Sequence, residues 1–370
     1  MHSYWDKSSS AQLVIIGAGV LGLWSAIEVK RRKPSWNVVV LERYPIPRGA
    51  STRNAGFACF GSPTELWSDM HVMGEEKMIA TVEMRYKGIL KIKEFFENAD
   101  IDLQWDGGYE CINDIEQIEL DKRIEVLNEL LKKGLGLSGV YSNVSSRKAS
   151  MHLHAFDYLV SISGEGSLHS GKYVQSLAQL AKEVGVSIFY GAHVEKWNRH
   201  THSWKIHTNN GFEWESDQVL FATNGWLSEQ IKGTEILPAR GQIILTSPIE
   251  RLPWKGTFHA EEGFYYWRNI DNRILLGGAR NLYKQQEETN ELSISQNLQE
   301  TLEDFLKTKI IPDHQFDIDQ RWSGIMAFSP NKTPVIAQKE EGLWYTMACN
   351  GMGVALTPIW AELVAEKITN

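Results

Sequence analysis

The run Leu13-Val14-Ile15-Ile16-Gly17-Ala18-Gly19-Val20-Leu21-Gly22, closed by Glu42 after Val38-Val39-Val40-Leu41, constrains this chain more than any other feature. It predicts strand, glycine turn, helix, strand and acid, the order of a dinucleotide-binding unit. Each glycine has its own task. Gly17 permits the tight turn, Gly19 lets backbone approach a pyrophosphate, and Gly22 lets the helix pack on the strand. The diphosphate is expected on the unpaired N–H groups at the helix start, near Gly19, Val20 and Leu21, where the helix dipole favours negative charge. Glu42 stands 20 residues after Gly22, placed to accept hydrogen bonds from a ribose diol.

At 370 residues the chain has room for two domains or one large composite one. Its formal net charge of −8 argues against a nucleic-acid partner, which needs a concentrated basic surface. The densest basic run, Lys30 to Lys33, falls at the predicted helix end before Pro34 and reads as favourable cation–dipole placement. Cys59, Cys111 and Cys349 form no CxxC pattern, which speaks against a disulfide framework or a metal site and fits a reducing, cytoplasmic setting. The apolar run from Leu13 to Ile27 is too short for a membrane span and lacks a basic leader, so no integral membrane segment is expected.

Helical spacing of Met78, Ile79, Val82, Tyr86, Ile89, Ile92 and Phe95 predicts a helix over 74–98, and a second amphipathic helix is expected over 115–133. Between them 103–112 reads as a strand; 173–184 reads as a helix followed by strand 187–190. From Pro238 to Gly278 the character turns to strands (241–246, 263–268 and 273–278), with Asp271-Asn272 as a hairpin turn. Strand 344–349, the turn Asn350-Gly351-Met352-Gly353 and a helix over 358–367 close the chain. The expected fold class is therefore α/β with two domains. A discontinuous Rossmann-like nucleotide domain takes 1–80, 150–230 and 322–370, and an antiparallel-sheet substrate domain takes 81–149 and 231–321.

Five ordered segments spanning nearly the whole chain carry a resemblance to a known family. They are the opening glycine motif with Glu42-Arg43; Gly49-Ala50-Ser51-Thr52-Arg53-Asn54-Ala55-Gly56-Phe57; and Gly166-Ser167-Leu168-His169-Ser170-Gly171, leading to Gly191-Ala192-His193-Val194. After these come Val219 to Trp226 with Pro238-Ala239-Arg240-Gly241-Gln242, and Arg321-Trp322-Ser323-Gly324-Ile325 with Asn350 to Ala355. The chain resembles the D-amino-acid oxidase/glycine oxidase/sarcosine oxidase family of FAD-dependent amine oxidoreductases. The resemblance implies an FAD-binding nucleotide domain. It assigns to FAD Gly17, Gly19, Val20, Leu21, Gly22, Glu42 and Arg43; then Ala50, Ser51, Thr52, Arg53, Asn54, Gly56 and Phe57. Val194, Ala222, Thr223, Asn224, Trp226, Gly324, Asn350, Gly351, Met352, Gly353 and Val354 complete that set. The helix opened by Asn350 to Gly353 would turn its dipole toward the flavin pyrimidine edge and stabilise anionic reduced flavin.

The implied activity is hydride transfer from the α-carbon of a neutral amine to flavin N5, giving an imine that hydrolyses. No general base is required, so none is assigned, and His169, His193 and His259 are expected to be structural. Amino-acid-oxidising relatives place an arginine after the Gly-Ile pair, where this chain has Met326. Glycine-oxidase-like relatives carry a second before the Asn-Gly turn, where it has Cys349. Arg268 faces either substrate or solvent; Tyr266, Arg268, Met326, Cys349 and Asn350 are the candidate substrate-pocket residues. The resemblance puts Leu275 in the place of an oxygen-activating lysine and Asn54 in that of a flavin-linking histidine, so FAD is expected to be non-covalent and fast reaction with oxygen is not implied. The expected partners are a small amine substrate and oxygen or another electron acceptor. The readings left open are oxidation of a small amine or N-substituted amino acid, D-amino-acid/glycine oxidase-like deamination, an NAD-linked dehydrogenase, and a flavin-binding protein without turnover.

Overall fold

The computed structural model describes residues 8–312, 314–347 and 350–370. Its first sheet is built on the opening strand Ser8–Ile16, which pairs in parallel with Val38–Glu42 on one side and Glu213–Phe221 on the other. Ser187–Tyr190 extends it beyond Val38–Glu42, and Leu343–Met347 extends it beyond Glu213–Phe221, again in parallel. Val38–Glu42 is buried along its whole length, as an apolar run between two parallel neighbours must be. Helices Val20–Arg32, Ser170–Glu183 and Gly353–Thr369 cover one face, with Trp24, Tyr173 and Val364 inside. The antiparallel strands Val194–His200 and Ser203–Thr208 continue from Glu213–Phe221.

The second sheet runs Ile318–Phe328, Leu237–Thr246, Arg273–Gly278, Tyr265–Ile270, Thr257–Ala260, Gly108–Ile112, Tyr158–Ile162, Tyr141–Asn143. All its pairings are antiparallel except that of Thr257–Ala260 with Gly108–Ile112. One face packs Phe258, Trp267 and Ile274 against Leu298, Leu302 and Phe305 of helix Gln296–Phe305. Tyr158–Ile162 and the end of Ile318–Phe328, placed by the sequence boundaries with the nucleotide unit, hydrogen-bond in this second sheet. Helix Glu75–Phe96 leans on the terminal helix at Gly88, where a Cβ would lie 1.8 Å from the Ala355 carbonyl oxygen.

Two expected elements are shorter than their sequence patterns. The strand expected over 103–112 is reduced to Gly108–Ile112, because Asp102 and Gly107 take positive φ and only Gln104 bridges to Ser167. The strand expected from Gly263 starts at Tyr265, since Glu261, Glu262 and Gly263 all have positive φ and form a turn. The basic run ends its helix as expected: Lys30 Nζ donates to the carbonyls of Pro34 and Trp36, at 2.8 and 2.7 Å. No helix among the described residues is long and apolar enough to cross a membrane.

Candidate active site

A cavity of about 710 Å³ opens where the carboxyl ends of the parallel strands meet the second sheet. Ile16, Leu41, Ala222 and Met347, each at or beside such a strand end, all line it, which is where ligands bind in open α/β sheets. Of the residues expected around the cofactor, all but Gly22 and Thr52 line this cavity.

The glycine turn is forced by backbone crowding. Gly17 has φ +109°, and a Cβ there would stand 2.8 Å from the Ala222 carbonyl oxygen. Gly22 lies beneath the turn instead of in the cavity, because a Cβ at that position would come within 2.0 Å of the Gly17 oxygen. Ser51 ties the first two glycine-bearing motifs together: its Oγ accepts from the Val20 amide at 3.0 Å, across 31 residues. Glu42 holds the other rim, its two oxygens accepting from the amides of Ala18 at 3.0 Å and Tyr44 at 3.1 Å. The Arg43 guanidinium sits between the rings of Tyr44 and Trp226, 4.7 and 4.6 Å from their centroids, and closes that end of the cavity.

Other residues of the flavin-loop motif serve the protein itself. Thr52 is turned away, its Oγ1 donating to the Pro47 carbonyl at 2.9 Å. Asn54 caps its short helix through Nδ2, while its Oδ1 accepts from the Gly56 amide and the Ser170 hydroxyl. Arg53 donates to the Ser323 carbonyl and accepts, through its own carbonyl, from Trp322 Nε1. Gly324 makes room for this join, since a Cβ there would meet Arg53 Cβ at 3.3 Å. The second motif is thereby locked to the second sheet.

Of the substrate candidates, Tyr266, Met326 and Asn350 line the cavity. Burial pushes the Tyr266 phenol up to about 12. Arg268 neither lines the cavity nor reaches solvent. It is 7 % exposed, donates to the Leu168 carbonyl at 3.0 Å, and burial lowers it to about 10. The alternation that put Tyr266 and Arg268 on one face is present, but Arg268 lies two residues further along, under Gly56 and Leu168. Cys349 lies outside the described residues.

The three tempting histidines part company. His169 caps the helix Ser170–Glu183, its Nδ1 accepting from the Lys172 amide. His193 lines the cavity, with its backbone amide held by Asn209 Oδ1. His259, buried and also lining the cavity, is paired through Nε2 with Glu165 Oε2 at 3.3 Å. Its donor atoms, those of Glu165 and the Cys59 sulfur lie within 4.8 Å of one another. Burial, reinforced by Glu165 and Glu65, pushes the Cys59 thiol well up. Sequence reasoning also passed over Glu65, Asp69 and Arg85, which line the same end of the cavity; Arg85 Nη1 meets Glu65 at 2.9 Å and Lys332 meets Asp69 at 2.9 Å. No local motif marks these residues. A helical register pairing 65 with 69, and an acid facing a distant arginine, were their only trace.

The residues present fit a flavin dinucleotide. Gly17, Gly19 and Gly22 leave a cradle that a side chain would fill, and Asn224 Oδ1 and Asn350 Nδ2, both buried on residues that line the cavity, have no partner among the described residues. Comparison with known proteins points the same way. A Haemophilus influenzae protein described as probable oxidoreductase OrdL is 26% identical over 97% of this chain and 83% of its own length. The Escherichia coli γ-glutamylputrescine oxidoreductase is 23% identical over 98% of this chain and 84% of its own. Among solved structures, L-proline dehydrogenase from P. horikoshii superposes with a TM-score of 0.78 at 20% identity, over 98% of this chain and 94% of that one. Glycine oxidase from Geobacillus kaustophilus gives 0.76 at 19% identity, over 97% and 95%. The family described as FAD dependent oxidoreductase matches residues 12–367, so this chain belongs to that family of flavoenzymes.

Proposed function

We propose that this FAD-dependent oxidoreductase oxidises a C–N bond of a small amine or N-substituted amino acid, giving an imine that hydrolyses. The observation that carries the reading is the cavity wall at Met326. The cavity that holds the glycine cradle is also lined by Tyr266, His259 and Met326, and Met326, an uncharged thioether, stands at the position where the resemblance puts a carboxylate-binding arginine. Arg268 stands outside the cavity lining and donates to the Leu168 carbonyl, while Arg280, which does line the cavity, lies over the Phe328 ring at 4.5 Å from its centroid. The name of the Escherichia coli relative, γ-glutamylputrescine oxidoreductase, favours an amine over a plain amino acid.

When bound, FAD supplies a hydride acceptor. In this reading the amides at the start of helix Val20–Arg32, with Ser51, hold the pyrophosphate, and Glu42 takes a ribose diol. Asn350 and the start of helix Gly353–Thr369 hold the flavin pyrimidine edge. Asn54, whose amide is engaged in capping, offers no nucleophile for a covalent link. Leu275, buried in the apolar cluster with Ala55, Ile243 and Leu245, offers no charge to speed reaction with oxygen. The cofactor unit is then the first sheet with its helices. The substrate unit is the second sheet, including Tyr158–Ile162 and Ile318–Phe328.

The test is anaerobic bleaching of the flavin absorption by a panel of amines and amino acids. Secondary and primary amines are expected to lead the panel. A panel led by D-amino acids transfers the reading to deamination, and flavin that nothing reduces refutes turnover on amines. Flavin that stays with acid-precipitated protein overturns the non-covalent assignment.

A further inference from the structure

We propose that His259, held by Glu165, is the base that takes the proton from the substrate ammonium before its α-carbon is oxidised. This rests on the amine reading above and adds to it a residue that the family resemblance does not assign.

The second sheet places His259 for this. Glu110, His259, Tyr266 and Gly277 face one another in register across four adjacent strands, so their positions share one face. The face they share is opposite to the buried Phe258 and Trp267 and turns toward the cavity, which both His259 and Tyr266 line. The missing side chain of Gly277 is replaced by the Tyr266 ring, whose Cε2 lies 2.5 Å from where a Cβ would stand. Phe57, from the flavin-loop motif, sets its ring edge-to-face against both, at 5.3 Å from His259 and 5.9 Å from Tyr266.

Glu165 fixes the imidazole. Its Oε2 lies 3.3 Å from His259 Nε2 and also accepts from Thr257 Oγ1 at 3.2 Å. With Nε2 turned to Glu165, Nδ1 is the ring nitrogen left to accept a proton, and it makes no hydrogen bond among the described residues of this cavity-lining side chain. The neighbouring acids are otherwise engaged. Glu65 pairs with Arg85, Asp69 with Lys332, and Glu110 accepts from Ser62 and Thr64. Burial opposes charge on His259, but Glu165, then Glu110 and Glu65, outweigh it and raise its pKa above the ordinary 6.5. Cys59, held as a thiol, and the Tyr266 phenol face it without charge.

The step balances. An ammonium has no lone pair with which to stabilise the cation formed as its carbon loses hydride. The N–H bond breaks, an Nδ1–H bond forms, and imidazolium is left paired with Glu165. The freed nitrogen lone pair becomes the C=N bond as the C–H electron pair leaves to the cofactor established for the family. The substrate loses two electrons and the cofactor gains them.

The experiment uses flavin-loaded protein in two arms. Anaerobic stopped-flow reduction by the best amine is followed across pH for wild type, Glu165→Gln and His259→Gln, with flavin content as the control for folding. The wild-type rate is expected to rise with pH through the His259 titration. Glu165→Gln is expected to move that limb to lower pH, and His259→Gln to abolish it and slow reduction near neutrality roughly a hundredfold. A His259→Gln enzyme that keeps the wild-type limb overturns the proposal. The second arm needs no substrate: NMR titration of labelled histidine should give His259 a midpoint above the ordinary value that falls in Glu165→Gln. A midpoint at or below the ordinary value overturns the proposal even if amines reduce the flavin. Flavin that no amine reduces overturns the amine reading, and this assignment with it.

Discussion

The two walls of the cavity are built on different principles. The cradle side is made of backbone: Gly17, Gly19 and Gly22 are small because carbonyl and hydroxyl oxygens stand where their side chains would be. The sheet side is made of side chains, with buried charges matched across long sequence distances. Behind the cavity-lining Ala239, Gly241 and Ile243, the alternate residues of the same strand do this: Arg240 meets Glu287 in two hydrogen bonds of 2.7 and 2.8 Å with both residues buried, and Gln242 joins them at 2.9 Å. Backbone crowding tolerates almost no change of residue. A side-chain pair tolerates change in size but not the loss of one partner.

This contrast can be broken most sharply on the sheet side. Glu287→Ala leaves Arg240 charged and buried without its partner, and should cost about 3–5 kcal/mol in urea unfolding. A cost below about 1 kcal/mol would mean that the pair is solvated and the sheet is not held as described. On the cradle side, Gly22→Ala drives a Cβ into the Gly17 carbonyl and should cost about 3 kcal/mol, with loss of bound flavin read from the visible spectrum. An unchanged flavin-to-protein ratio would remove the crowding argument. Ser51→Ala should cost about 1 kcal/mol and weaken FAD retention, because it strips the acceptor from the Val20 amide and removes a hydroxyl from the proposed pyrophosphate site. Tyr266→Phe is the mildest. It should leave flavin content and stability unchanged while shifting the apparent amine affinity by less than about tenfold.

How much was legible follows the same division. The first strand, the glycine turn, helix Val20–Arg32 and Glu42 lie within 35 residues, and each constraint acts between near neighbours in sequence. The terminal turn and helix were readable for the same reason. Thr52 and Arg268 were misplaced because residue type at a motif position does not say which way the side chain turns. Thr52 instead bonds Pro47, and Arg268 lies beyond the cavity edge. The strand ending at Ile112 was read too long because positive φ at Asp102, a non-glycine residue, leaves no clear mark in composition.

The sequence by itself determined that a glycine cradle would form, because backbone geometry over a few residues depends on which residues lack side chains. Only the tertiary structure decided what faces the cradle. Glu165 and His259 are 94 residues apart and meet because a turn and a strand of the second sheet are brought together. Their contact depends on register and packing summed over the whole fold, and no short stretch of sequence contains that sum.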